Sequence, residues 1–268
     1  MAKVTIQDLL TAGVHFGHQT KRWNPKMKKY IFGTRNKITI IDLTITMKKL
    51  AEACQFLHDV VVDGGDVLFV GTKRQAQEEI VAAAEETGMF FVSHRWLGGC
   101  LTNFNTIKKS IKKLQDFRKL VETEDFAKKG KKEQSSIRRE MTKLDRNLGG
   151  IESMKKMPAA VVVVDVEKEH IAVQEAKNLG IPVVAIVDTN GNPDNVDYVI
   201  PGNDAALRSI KVLLSVLVSA VKGAKVEAVK LANEKAAAEA AEKAAKAKAK
   251  EEKAAEKAEE APKAEVEA

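Results

Sequence analysis

Residues 159–165 read Ala-Ala-Val-Val-Val-Val-Asp, an apolar run unbroken until its last residue. A strand with one face in water alternates apolar and polar side chains. This one does not alternate, so both of its faces must be covered. Val67-Leu68-Phe69-Val70 and Val183-Val184-Ala185-Ile186-Val187 have the same character. Strands of this kind belong to parallel sheets, where crossover helices supply the covering layers. Helix-forming stretches fit between them: from Gly71 to Gly88, from Glu167 to Leu179 with a stop at Gly180, and onward from about Asn203. Shorter strands are expected at Phe90-Phe91-Val92 and Tyr198-Val199-Ile200. Upstream, the spacing predicts helices over 5–12 and 44–62, with extended pieces at 30–32 and 38–41. The alternation assigns the chain to the α/β class with a parallel sheet.

One block breaks the alternation. Between Asn103 and Lys156 there is no strand signal, while Phe104, Ile107, Ile111, Leu114, Phe117 and Val121 recur at steps of three and four. After a polar turn around 128–132, Ile137, Met141, Leu144, Leu148 and Ile151 do the same. Two such arms predict an inserted antiparallel helical hairpin of coiled-coil type, projecting from the α/β body. From residue 223 the chain is a low-complexity tail of Ala, Glu and Lys, with helix propensity but nothing to bury. The expected organisation is an α/β domain from 1–102 and 157–222, a hairpin at 103–156, and a helical or disordered tail at 223–268.

The formal charge is +7. Residues 234–268 hold ten acidic and eight basic side chains, a net of −2, so the preceding 233 residues carry +7 − (−2) = +9. A folded part this basic calls for an anionic partner such as nucleic acid. Cys54 and Cys100 have no metal-type neighbours and read as free thiols of a reducing, cytoplasmic compartment. No signal-peptide core and no span-length apolar run is visible, so no membrane association is expected.

Several segments are candidates for RNA contact. Lys21, Arg22, Lys26, Lys28 and Lys29 surround Trp23 within nine residues, joining phosphate-neutralising charge to a plane on which a base can stack. Arg35, Asn36 and Lys37 follow in the next polar turn. Gly71-Thr72-Lys73-Arg74 joins a strand to a helix and forms an anion site, with Lys73 and Arg74 expected on an RNA phosphate. His94, Arg95 and Trp96 precede Gly98-Gly99, where the backbone can approach a partner, and Thr102 or Asn103, the latter also a candidate for RNA contact, can cap the first hairpin helix. On the hairpin, Lys108, Lys109, Lys112, Arg138 and Arg139 are further candidates. The bland readings are solvated charge and a tryptophan buried at a domain junction.

Cofactors and metals are not expected. Zinc takes at least three protein ligands, and the one set that strand order can bring together is His18 with Asp188 and Asp204. His15 and His18 read as hydrogen-bonding loop anchors. The rival to an RNA-binding scaffold is a nucleotide- or phosphosugar-binding α/β enzyme. The sequence carries no Gly-x-Gly-x-x-Gly, no Gly-x-x-x-x-Gly-Lys-Ser/Thr and no nucleophile elbow, so no small-molecule substrate is expected.

Long stretches also resemble a known family, the ribosomal protein two family of the bacterial small subunit. They include His15-Phe16-Gly17-His18 with Trp23-Asn24-Pro25-Lys26-Met27, Ile31 to Asn36, Ile40-Ile41-Asp42-Leu43, Leu68 to Lys73, Arg95 to Gly99, Leu101 to Phe104, and Ala185 to Asn190 with Ile200 to Asp204. Ala205 stands where the family usually has a second Asp. The resemblance implies a Rossmann-like or flavodoxin-like sheet with an inserted coiled-coil hairpin. It also implies a non-enzymatic place in the small ribosomal subunit, with small-subunit rRNA, neighbouring ribosomal proteins and the large mRNA-binding ribosomal protein one as partners.

Overall fold

The chain begins with a short helix, α1 (Ile6–Thr11), whose start is fixed by reciprocal hydrogen bonds between Thr5 and Asp8. Three strands follow, β1 (Phe16–Gln19), β2 (Ile31–Arg35) and β3 (Ile38–Ile41), forming an antiparallel sheet of order β1-β3-β2. Asn36 and Lys37 both take the left-handed conformation, at φ 51° and 64°. Two such residues make the tight turn whose twist suits a hairpin. β1 falls in the polar and basic stretch between the helix over 5–12 and the extended piece at 30–32, where the sequence carries no strand signal. It is held by backbone pairing to β3 and has no alternating burial, so periodicity carries no trace of it.

The computed structural model describes residues 4–230, apart from 124, 125 and 127. The chain divides into two units, 1–224 and 225–268. Of the second, only 225–230 are described, as helix, and most of the expected tail lies outside the described residues.

The remaining elements of the first unit are α2 (Leu43–Val62), β4 (Val67–Val70), α3 (Gln77–Thr87), β5 (Phe90–Val92), α4 (Phe104–Val121), α5 (Lys131–Leu148), β6 (Ala160–Val164), α6 (His170–Asn178), β7 (Val183–Val187), β8 (Tyr198–Pro201) and a helix, α7, that starts at residue 207. Strands β4 to β8 form one parallel sheet of order β5-β4-β6-β7-β8. Counted within that sheet the order is 2-1-3-4-5, the flavodoxin-like arrangement.

Every residue of β4, β6 and β7 is buried, as their unbroken apolar runs require. Successive side chains enter opposite cores. Val67, Phe69, Val162, Val164, Val184 and Ile186 pack with α2, α3 and α7. Leu68, Val70, Val161, Val163, Val183 and Ala185 pack with α6 and the first turns of α4. Each of the Val, Leu, Ile and Phe side chains among them contributes roughly 1.5–3 kcal/mol through burial.

Helices α4 and α5 replace the single crossover helix expected between β5 and β6. Phe104, Ile107 and Ile111 at their base belong to the second core, together with Leu148 and Ile151. Farther out, Phe117, Val121, Ile137 and Met141 are only half-buried. There the pair relies on polar links: Lys113 to Glu140, and Arg118 to both Asp145 and Glu152. Gly150 closes the base. A Cβ built on it would lie 2.2 Å from the carbonyl oxygen of Phe91 in β5. Gly150→Ala must therefore displace backbone, and is expected to cost about 2 kcal/mol in chemical denaturation, within the range for overpacking. A stability equal to the parent's would refute this contact.

Candidate nucleic-acid interface along the carboxyl edge of the sheet

In open α/β sheets ligands enter outside the carboxyl ends of the strands, at the point where strand order reverses. Here that point lies between β4 and β6, and the chain fills it with its own side chains. Lys73, just after β4, places its Nζ 3.1 Å from Asp165 Oδ2 after β6 and 2.7 Å from Asp204 Oδ1 after β8. Asp165 sits at φ 71° and accepts the N–H groups of Glu167 and Lys168. The N–H and hydroxyl of Thr72 donate to Glu169.

These contacts correct two expectations. The anion site foreseen at Gly71-Thr72-Lys73 exists, but the Glu169 carboxylate occupies it. α3 begins only at Gln77, so no helix N-terminus points from Thr72. Lys73 is 18% exposed and already shared between two carboxylates, which removes it from the RNA-contacting set. Burial works against its charge, but Asp204 and Asp165 outweigh it and hold the ammonium's pKa above the ordinary value. Arg74, next to it, is exposed and stays in the set.

The antiparallel sheet is fastened across the same edge. The His18 N–H donates to Thr189 Oγ1 at 2.9 Å, the Asn24 N–H to the Thr189 carbonyl at 2.7 Å, and the Asn203 N–H to the Val14 carbonyl at 3.1 Å. Gly17 is required there, because a Cβ would meet Thr189 Cγ2 at 2.5 Å. The anchoring expected of His18 is thus made largely by its backbone. Its ring joins a cluster in which donor atoms of His18, Asp188 and Asp204 all lie within 4.8 Å of one another. Asp188 and Asp204 are buried. The Asp188 carboxylate beside His18 raises the imidazole's pKa. Asp204 is pushed up to about 6 by burial first, then by the neighbouring charges of Asp165 and Asp188.

The basic segment lies exposed on this sheet. Lys21, Arg22, Lys28, Lys29, Arg35 and Lys37 are all exposed and make no ion pair with any described residue, whereas Lys26 is paired with Asp194. Trp23 is 39% exposed and lines a cleft of about 450 Å³ with Thr20, Lys28, Ile31, Thr34 and Thr39. Phe16 and Phe32, on β1 and β2, are also exposed, a feature the sequence pattern did not single out.

The loop after β5 decides between the two readings of Trp96 in favour of a tryptophan buried at a junction. Trp96 is 8% exposed, so it cannot offer a stacking plane to a base. Its Nε1–H donates to Glu175 Oε1 at 3.1 Å. The same carboxylate accepts the N–H groups of Gly99, Leu101 and Thr102 and the Thr102 hydroxyl, at 2.8–3.1 Å. Burial alone would raise the Glu175 pKa, but these donors outweigh it and leave the group below the usual carboxylate range. Glu175 falls within the apolar stripe Ala172-Val173-Ala176 of α6, and an acid in such a stripe is the signal that was there to find. His94 and Arg95 remain exposed ahead of this pinned loop. Asn103 holds the N-cap position of α4 but makes no capping bond to the backbone; it accepts from the Thr106 hydroxyl instead.

On the helix pair, Lys108, Lys109, Lys112, Arg138 and Arg139 are exposed. Lys108 lies over the Phe104 ring and donates to the Lys155 carbonyl, and Arg138 lies over Phe126. Arg138 and Arg139 line a shallow groove of about 400 Å³ with Lys131, Gln134, Ser135 and Thr142.

Glu175→Gln replaces the charge and turns one acceptor into a donor among five converging donors. It is expected to cost about 3 kcal/mol, read as a lower denaturation midpoint. Because the folded carboxylate titrates below its unfolded value, its stabilisation is complete above about pH 4.5 and is lost as pH falls through the folded pKa. A variant as stable as the parent at neutral pH would remove Glu175 from this role.

No helix among the described residues is long and apolar enough to cross a membrane. The profile of the family described as Ribosomal protein S2 matches residues 9–224, which take in both sheets, the helix pair and the carboxyl-edge cluster. The chain belongs to the ribosomal protein S2 family and is a small-subunit ribosomal protein.

Proposed function

We propose that the chain holds small-subunit rRNA through a non-catalytic surface along the carboxyl edge of its sheet. The observation that carries this reading is the exposed indole of Trp23 in a segment with six exposed cations that form no ion pair with any described residue: Lys21, Arg22, Lys28, Lys29, Arg35 and Lys37. Free cations neutralise phosphates and release counterions. An exposed ring takes an unstacked base, which is how proteins read the loops and ends of folded RNA. Arg74, His94 and Arg95 extend the surface, since they follow the neighbouring strands β4 and β5 at the same edge. Lys108, Lys109, Lys112, Arg138 and Arg139 give the helix pair, read as a coiled-coil arm, a second line of phosphate contacts. Lys26 and Asn103 serve as supports at this surface, given their internal bonds.

Partners among the ribosomal proteins follow from the family. Phe16 and Phe32 suit a protein surface, because exposed aromatic rings without charge are what interface cores collect. Docking of the large mRNA-binding protein one belongs to this reading.

Affinity for small-subunit rRNA should fall steeply with salt, with log K declining linearly in log salt. Arg22→Ala with Lys28→Ala should flatten that slope by about 2. Trp23→Ala should weaken binding roughly thirtyfold, the middle of the range for a stacked base, without lowering the melting midpoint. A salt-independent affinity, or a Trp23→Ala protein that binds like the parent, would refute the interface.

A further inference from the structure

The cleft beside Trp23 offers more hydrogen-bonding capacity than the chain itself uses. Thr20, Thr34 and Thr39 line it together with Trp23, Lys28 and Ile31. Thr34 on β2 and Thr39 on β3 are directly paired across the strands. Thr20 is drawn alongside by its N–H, which donates to the Lys37 carbonyl at 3.0 Å. None of the three hydroxyls makes a hydrogen bond with a described residue. For Thr39 this is unfavourable. The residue is only 2% exposed, and a hydroxyl withdrawn from water loses free energy unless a partner replaces the solvent.

The walls of the cleft are also held in place. Met27 and Tyr30 are buried, which fixes the short 3-10 helix Pro25–Tyr30 that carries Lys28. The Asn24 N–H is tied to the Thr189 carbonyl, and the Asn24 side chain accepts from the Lys26 N–H at 3.0 Å. The backbone next to Trp23 therefore has little freedom, and little ordering entropy is lost when a ligand enters.

A volume of about 450 Å³ lies within the roughly 300–1,000 Å³ of clefts that enclose small organic ligands, with room for a base and its ribose. We infer that this cleft takes a single unpaired nucleotide of RNA. The base stacks on Trp23 and turns its polar edge to Thr20, Thr34 and Thr39, and Lys28 meets the adjoining phosphate. Each hydroxyl both donates and accepts, so the cleft grips a base without selecting which one. A base inside a duplex is covered on both faces by its neighbours and stays out. The inference rests on the RNA surface proposed above and deepens it, since the base is enclosed by the cleft instead of laid on an open ring.

The test uses the full chain and a short labelled single-stranded RNA, with a duplex of the same length as control. Trp96, the other tryptophan, is buried, so quenching of indole emission reports Trp23. The single strand should quench that emission and the duplex should not. Thr39→Val keeps the branched shape and removes only the hydroxyl. It should weaken binding of the single strand about fivefold in anisotropy titrations, the worth of one neutral hydrogen bond. Its melting midpoint should equal or exceed the parent's, because the unliganded protein loses no internal bond. Three results each overturn the cleft as a nucleotide site: quenching by the duplex as strong as by the single strand, unchanged affinity in Thr39→Val, or a lowered melting midpoint in that variant. If rRNA affinity still falls steeply with salt in such a case, the outer surface stands and the cleft alone is struck.

Discussion

The structure depends on the burial of β4, β6 and β7 from both sides. Once three adjacent strands carry no polar side chain, water must be kept from two faces at once, and single helices packed on each face do that. On one face α2, α3 and α7 suffice. On the other, the crossover from β5 to β6 is made by two long helices, of which only the base reaches the sheet. The helix pair therefore meets two requirements with one segment. Its first turns complete a core, and its outer turns carry charge away from the body. Gly150 is the price of joining them, because only a residue without a side chain lets that junction close on β5.

The same sheet creates an electrostatic problem at its carboxyl edge. Parallel strands end in turns rich in aspartate, and Asp165, Asp188 and Asp204 meet there. In a ligand-binding relative of this fold, that edge is a crevice. In this chain Lys73, Glu169 and the antiparallel sheet close it from within. Cations not needed for that closure, such as Arg22 and Lys28, are left free on the outer surface. A single division of labour thus separates internal from external charge.

Much of this was legible in the sequence because apolar runs and three-to-four spacing record burial directly. The parallel strands and the helix pair follow from such patterns, and the exposed basic segment around Trp23 follows from its clustered charge. The misses have physical causes. β1 is defined by backbone pairing, which leaves no mark in side-chain order. Lys73 reads as a phosphate contact, and Trp96 equally as a stacking plane or a buried side chain, because charge and aromaticity in a loop look alike whether they face RNA or an internal carboxylate. Their partners, Glu175, Asp165 and Asp204, lie between 79 and 131 residues away in the chain. No local pattern can reveal a pairing across that distance. The convergence of His18, Asp188 and Asp204 was visible only as a possibility of strand order, and geometry turned it into a cluster.

The fastening of the antiparallel sheet has a consequence for biogenesis. Its anchors, Thr189 and Asn203, come some 170–190 residues after the strand they hold. Contacts of such long sequence separation form late, and domains assemble as the chain emerges from its N-terminus. The basic strands at 16–41 are therefore made first and docked last. Until residue 203 has left the synthesising ribosome, the antiparallel sheet lacks the full set of backbone anchors that fasten it to the parallel one.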